Sequence, residues 1–328
     1  MHRELDMRRM TTRALVAILL AATAAACAGV SAAASLQLEM LPANARWVVH
    51  LDAKALRDSP PGKELLMALA GSPQEADLRA FEAMAGCDVR RDMTTLTACG
   101  AGNAEQGGVA CLHGNWNLQR MSACLAGTHL FTAASCGRHA TLNSTDTNGI
   151  EHSCICLVSS NLVLLANRET AMRQTLDALD GKVPTLATVP RFRRMAAMDT
   201  NAFLRVLALD WKEIAAGNLL AAAVPAGNSL RLALSAAGQD VCAKAVIQAG
   251  TPEAAQQMQQ TLVGLQAVLV LQGLKNPDIG KMAQSARIDV NGQDVSMHLT
   301  APFDTVKRLF FRQKKNALPS AAALPKQA

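Results

Sequence analysis

Two stretches of the chain carry the same alternation of apolar run and polar stop. Val48-Val49-His50-Leu51-Asp52-Ala53-Lys54-Ala55-Leu56 and Val206-Leu207-Ala208-Leu209-Asp210-Trp211-Lys212-Glu213-Ile214 share Val, Leu, Asp and Lys at matching places. Each predicts a short strand that stops at an Asp and turns into a helix, so the two read as equivalent first strands of two halves. A second echo, Gly238-Gln239-Asp240-Val241 and Gly292-Gln293-Asp294-Val295, lies between alternating apolar and polar positions. Both predict hairpins, and Asn291-Gly292 is a pair that tight hairpin turns favour because both central residues need positive φ. Asn148-Gly149 predicts a third hairpin, between the alternating runs around 140–143 and 150–158.

Helical spacing and end signals predict helices over Pro60 to Leu69, Gln74 to Ala85 closed by Gly86, Asn117 to Ala126 closed by Gly127, and Arg168 to Leu179. A longer one runs from Glu253 to Leu271, with Thr251 as cap, Pro252 at the first helical position, and apolar Met258, Leu262, Leu265 and Leu269 at helical spacing. Ala301-Pro302-Phe303-Asp304 predicts another helix start after the last hairpin. Val109 to Leu112, Leu162 to Leu165 and Leu230 to Leu234 are the clearest strands. Hairpins followed by helices predict an α+β class: two related halves, each an antiparallel sheet with helices packed on one face. The expected organisation is a leader over 1–34, an N-terminal half over 35–185, a C-terminal half over 186–311, and a disordered basic tail over 312–328. The boundary falls in the Gly, Pro and Thr cluster from Gly181 to Pro190.

The leader rests on charge as well as hydropathy. Arg8, Arg9 and Arg13 precede an acid-free, Ala-rich apolar run from Ala14 to Ala34, the arrangement of a secretory signal peptide. Ala32-Ala33-Ala34 before Ser35 offers small residues to a signal peptidase, which predicts a mature start at Ser35 and a periplasmic or secreted protein. Cys27 after Ala24-Ala25-Ala26 is the alternative, a lipoprotein box with Ala24 where Leu is usual. The second half of the run is Ala, Gly, Ser and Thr, too weakly apolar for an anchor, so no transmembrane span is expected in the mature chain.

Charge then excludes one function class. The net charge is +6. Residues 1–34 carry four basic and two acidic side chains, and the segment beyond Val306 carries six basic side chains and no acid, so residues 35–306 stand near −2. A slightly acidic body between basic ends is no nucleic-acid-binding domain. Only ten aromatics (Trp 3, Phe 7, Tyr 0) are present, which leaves few stacking surfaces for single strands. The basic tail predicts at most weak contact with anionic surfaces.

The opening Leu41-Pro42, Ala45-Arg46-Trp47-Val48-Val49-His50-Leu51-Asp52, Leu56, Ser59-Pro60 and Gly62 resembles a group of uncharacterised exported bacterial proteins. The likeness continues through Gly86-Cys87-Asp88, Gly114-Asn115-Trp116-Asn117 and the strand and helix from Leu162 to Leu179. It implies export, a duplicated α+β body and no assigned activity, and it carries over no catalytic residue. Many positions that are Cys here are apolar or aromatic in that group, which implies a core role for these cysteines.

Candidate chemistry concentrates in cysteine. Seven of nine lie between Cys87 and Cys156, and Cys136, His139, His152, Cys154 and Cys156 supply five soft ligands in 21 positions. On a strand, His152, Cys154 and Cys156 share one face, and with Cys136 or His139 they could hold Zn or Cu(I). The competing reading makes them small buried hydrophobes, because neither spacing is a zinc framework of two close pairs. Eight cysteines follow Ala34, and one or two disulfides at most are expected. Gly100-Ala101-Gly102 lacks a third glycine and reads as a turn. Walker, His-Glu-x-x-His and Gly-x-Ser-x-Gly motifs are absent. His50 reads as a hydrogen-bonded strand residue, and Asp52 and Asp210 as helix caps. The sequence therefore points to an exported envelope protein with a binding or structural role and an unknown envelope partner. It implies no cofactor, no metal and no catalytic residue. The rival is a soft-metal or thiol-redox protein using the 136–156 cluster, and the third reading is a hydrolase whose groups come together only in the fold.

Overall fold

The computed structural model describes residues 35–69, 75–76, 78–79, 82–83, 86–102, 107–127, 131–145, 152–209 and 229–308. The leader, the Asn148-Gly149 turn, Asp210 and the tail beyond 308 lie outside the described residues.

Twelve strands form one antiparallel sheet in the order β11-β12-β10-β9-β8-β1-β2-β3-β7-β6-β5-β4. In chain order these are β1 (Trp47–Asp52), β2 (Met93–Gly100), β3 (Gly108–Gly114), β4 (Thr132–Cys136), β5 (His139–Thr145), β6 (His152–Ser159) and β7 (Leu162–Ala166). The rest are β8 (Leu204–Leu209), β9 (Ser229–Ala237), β10 (Asp240–Gln248), β11 (Arg287–Asn291) and β12 (Asp294–Pro302). The helices are α1 (Ala53–Asp58), α2 (Pro60–Leu69), α3 (Val89–Asp92), α4 (Leu118–Gly127), α5 (Glu169–Leu179), α6 (Pro190–Ala196), α7 (Pro252–Gln272), α8 (Pro277–Ser285) and α9 (303–308). The α+β class is thus observed, with β1 to β7 and β8 to β12 joined edge to edge in one sheet. The joint is the pair of expected first strands: β1 lies antiparallel to β8, with Val49 opposite Val206. Outward from that joint the order is β1-β2-β3-β7-β6-β5-β4 on one side and β8-β9-β10-β12-β11 on the other.

Alternation sorts β1 to β7 onto two faces. One face carries Val48, Cys99, Cys111, Cys154, Cys156 and Leu164, buried beneath Met172 and Leu176 of α5 and Phe192 of α6. The other carries Leu51, Leu96, Leu112 and Val163 against Leu56 of α1, Val89 of α3 and Met121 of α4. Helices therefore cover both faces of β1 to β7. On β8 to β12, α7 packs Met258 and Ala255 onto Ile247 and Val295 on the face shared with Leu51. α9 is held to two earlier helices, as Lys307 pairs with Glu64 of α2 at 3.2 Å and Arg308 with Asp278 of α8 at 2.9 Å. Two of the six basic residues beyond Val306 are thus held by carboxylates of the body.

Candidate functional site

The helix-covered face that buries Val48 and Leu164 also holds a block of polar side chains. Their placement follows from register. Asp52 of β1 lies opposite Thr95 of β2, and Thr95 opposite His113 of β3; two residues along, His50 lies opposite Thr97, and Thr97 opposite Cys111. On the other side of β1, His50 faces Arg205 of β8. His50, Asp52, Thr95, Thr97 and Arg205 are all buried. His50 Nδ1 and Thr97 Oγ1 are hydrogen-bonded at 2.9 Å, and Thr95 Oγ1 and His113 Nδ1 at 3.3 Å. Asp52 Oδ1 accepts from the Ala55 backbone N–H at 2.7 Å, which caps α1. The cap expected from sequence is therefore present at Asp52.

A cavity of about 350 Å³ stands over this block. His50, Thr95, Thr97, Cys111 and His113 form its inner wall, and Ser35, Gln37, Met40 and Leu41 close it from above. That N-terminal stretch is pinned by Leu38 and Leu41, which enter the core, and by the Leu186 N–H donating to the Leu41 carbonyl at 2.8 Å. Ser35 and Gln37 at the rim are exposed.

The electrostatics favour neutral hydrogen bonding over proton transfer. Burial lowers the His113 pKa, because the cationic imidazole loses hydration. Burial likewise pulls the Arg205 guanidinium down, opposed by the charges of Asp52 and Asp199. The Cys111 thiol is pushed well up by burial, with Cys99 adding to the effect, so it is no nucleophile at neutral pH. Thr97 and His50 stand at the distance of a nucleophile and its base. His50 is 1% and Thr97 5% exposed, so each meets the cavity with little of its surface and their contact with one another takes up most of their polar capacity. The arrangement suits holding a small ligand by hydroxyl and imidazole groups.

Of the candidate ligands at 136–156, the three thiols stay together in the core and His139 is engaged by a carboxylate. Cys136, Cys154 and Cys156 are buried in the core beneath α5, where burial raises the Cys154 and Cys156 thiols to about 11. Cys136-Gly137-Arg138-His139 is the turn joining β4 to β5, with Gly137 at φ +61°. There His139 Nε2 lies 3.0 Å from Asp180 Oδ1, and Arg138 and Lys182 pair with the same carboxylate. These partners hold the Asp180 pKa far below the usual carboxylate range. Among the described residues no three His, Cys, Asp or Glu side chains are placed to hold a metal ion. The side chain of His152 lies outside the described residues. All eight described cysteines are free thiols.

The polar block was only partly visible in sequence. Thr95 and Thr97 alternate with Leu96 and Ala98, and His113 follows Cys111 by two, a period of two that puts all of them on one face. What no pattern supplied was the register that stacks them beside His50.

No protein-family model matches the chain, and no curated protein matches it. Solved structures do. The fold resembles that of TP0453, a bacterial protein. Its crystal form III superposes with a TM-score of 0.52 at 12% identity, over 85% of this chain and 98% of that one. Crystal forms IV and I of TP0453 give 0.47 and 0.46 at the same identity. At 12% identity the likeness to TP0453 concerns the fold alone. Among the described residues no helix is long and apolar enough to cross a membrane.

Proposed function

We propose that this chain is an exported bacterial envelope protein that binds a small molecule in the cavity over β1, β2 and β3 and catalyses no reaction. The observation that carries the reading is the polar inner wall. Hydrogen-bonded His50, Thr97, Thr95 and His113 occupy positions where a purely structural sheet would bury Val, Ile or Leu. Buried polar groups cost stability unless each is satisfied, and groups retained around a cavity are the usual mark of a binding site. The basic and apolar leader pattern supports export, and the likeness of the segments that form β1 and β8 supports two halves of common origin, over 35–185 and 186–311. The tail over 312–328 adds a basic segment suited to weak contact with anionic surfaces of the envelope.

The test is native mass spectrometry of the mature protein isolated from envelope fractions, beside a His113→Leu variant prepared identically. A stoichiometric small-molecule adduct present on the parent and absent from the folded variant is expected. A parent protein free of any adduct, or an adduct unchanged in the variant, would count against the cavity as the site.

A further inference from the structure

The walls of the cavity contain imidazole, hydroxyl, thiol and apolar groups, and among the described lining residues there is no carboxylate, Lys or Arg. Ser35, at the exposed rim, is also the residue that follows the small-residue triplet Ala32-Ala33-Ala34. In the uncleaved chain the Ser35 nitrogen is an uncharged amide. Hydrolysis of the Ala34–Ser35 bond by a signal peptidase adds water: the hydroxyl goes to the Ala34 carbonyl carbon, and a hydrogen goes to the Ser35 nitrogen. The product is an α-amine with an ordinary pKa of about 8, protonated at neutral pH.

We infer that removal of the leader at Ala34 completes the site, by placing the α-ammonium of Ser35 on the cavity rim, and that the ligand is a small organic monocarboxylate. The inference rests on the binding reading above and adds the ligand class and its activation. One ammonium beside the His113 imidazole, whose pKa burial lowers, balances one negative charge; a phosphate dianion would be left undercompensated in a partly desolvated cavity. Met40 and Leu41 line the same space and call for an apolar body on the ligand. Thr94 and His113 supply further hydrogen-bonding groups on its wall. At about 350 Å³ the cavity lies at the small end of the range for organic ligands. A charge-assisted hydrogen bond from the ammonium to a carboxylate is expected to raise affinity about tenfold.

The experiment uses the chain beginning at Ser35 in two forms, with a free and with an Nα-acetylated terminus, and two probes of matched shape, benzoate and benzamide. Titration calorimetry is expected to show benzoate binding the free-amine form about tenfold more tightly than the acetylated form. Benzamide is expected to bind both alike, and a His113→Leu variant to lose both probes. Equal benzoate affinity for the two forms overturns the ammonium inference while leaving a binding cavity standing. Benzoate binding that survives intact in His113→Leu places the ammonium's ligand outside the cavity and also overturns it. Failure of both probes on every form overturns the monocarboxylate assignment, and the adduct experiment above then decides the binding reading separately. Protein isolated from the envelope must begin at Ser35; a different terminus, such as a lipidated Cys27, overturns the inference.

Discussion

His50 Nδ1 and Thr97 Oγ1 lie 2.9 Å apart on the neighbouring central strands β1 and β2, both side chains buried between sheet and helices. Removing one partner breaks a buried hydrogen bond, a cost of about 1–3 kcal/mol. His50→Leu and Thr97→Val should therefore each lower the stability measured by urea unfolding by that amount. The double variant should lose less than the sum of the singles, with a coupling of at least about 0.5 kcal/mol. Additive losses would show that the two groups do not stabilise each other.

His113 makes stability depend on pH. Its folded pKa is lowered by burial, so the unfolded chain takes up a proton at this site before the native state does. Stability rises with pH wherever the unfolded state binds more protons. The contribution of neutral His113 is therefore complete above the unfolded value of about 6.5 and declines as pH falls below it, until the lower folded pKa is reached. His113→Gln, which cannot titrate, should show a shallower drop in melting temperature between about pH 7 and pH 5 than the parent. Parallel curves for the two proteins would mean that His113 is not desolvated.

Thiol reactivity separates the core cysteines from the rest. Burial lifts Cys87 and Cys99 to about 12 and Cys154 and Cys156 to about 11, so at pH 8 roughly one in a thousand or fewer of these thiols is the reactive thiolate. Cys124 and Cys242 are only partly buried. Brief iodoacetamide treatment of the native protein should modify Cys124 and Cys242, and the other six should react only after denaturation. Labelling of Cys154 or Cys156 as fast as Cys242, or its suppression by added zinc, would favour the soft-metal reading.

Much of this architecture was legible because local signals agreed with the fold. Pro60 to Leu69 was expected as a helix and is one; Arg168 was expected to open a helix and stands as the N-cap of α5. The hairpin turning at Gly292 was marked by its Asn-Gly pair and is observed between β11 and β12. The relation between the halves was not legible in the same way. Resemblance marked β1 and β8 as equivalent, yet nothing local says that such strands pair with each other, because strands far apart in sequence pair by the edges left open once their nearer neighbours have paired. The 136–156 cluster misleads for a physical reason too. Gly137 with positive φ makes a tight turn that leaves Cys136 and His139 as cross-strand partners on one face, yet the thiol is buried beneath α5 while the imidazole is held by Asp180 at the end of that helix. Spacing along the chain carries no record of that divergence. The site was harder still, since its wall takes side chains from three strands whose register only the folded sheet defines.

Trp47 and Gly100 provide a test of how tightly the centre of the sheet is packed. They are cross-strand partners on β1 and β2, and the Trp47 Nε1–H donates to the Gly102 carbonyl at 3.2 Å, which holds the indole across the glycine. A methyl group at Gly100 would meet the indole Cζ2 at 2.7 Å and the Gly107 carbonyl oxygen at 2.9 Å. The backbone oxygen cannot yield as a flexible side-chain tip would, so the indole must move and its hydrogen bond must lengthen. Overpacking of this kind costs about 1–3 kcal/mol. Gly250→Ala is the control, since a Cβ there meets nothing within 4 Å and should leave stability within about 0.5 kcal/mol of the parent. Gly100→Ala is expected to unfold at lower urea concentration and to change the tryptophan emission of the native state, while Gly250→Ala does neither. Equal stability of the two variants would mean that β1 and β2 can separate at this point, and the register that stacks Asp52, Thr95 and His113 would then be far less rigid than a built binding wall requires.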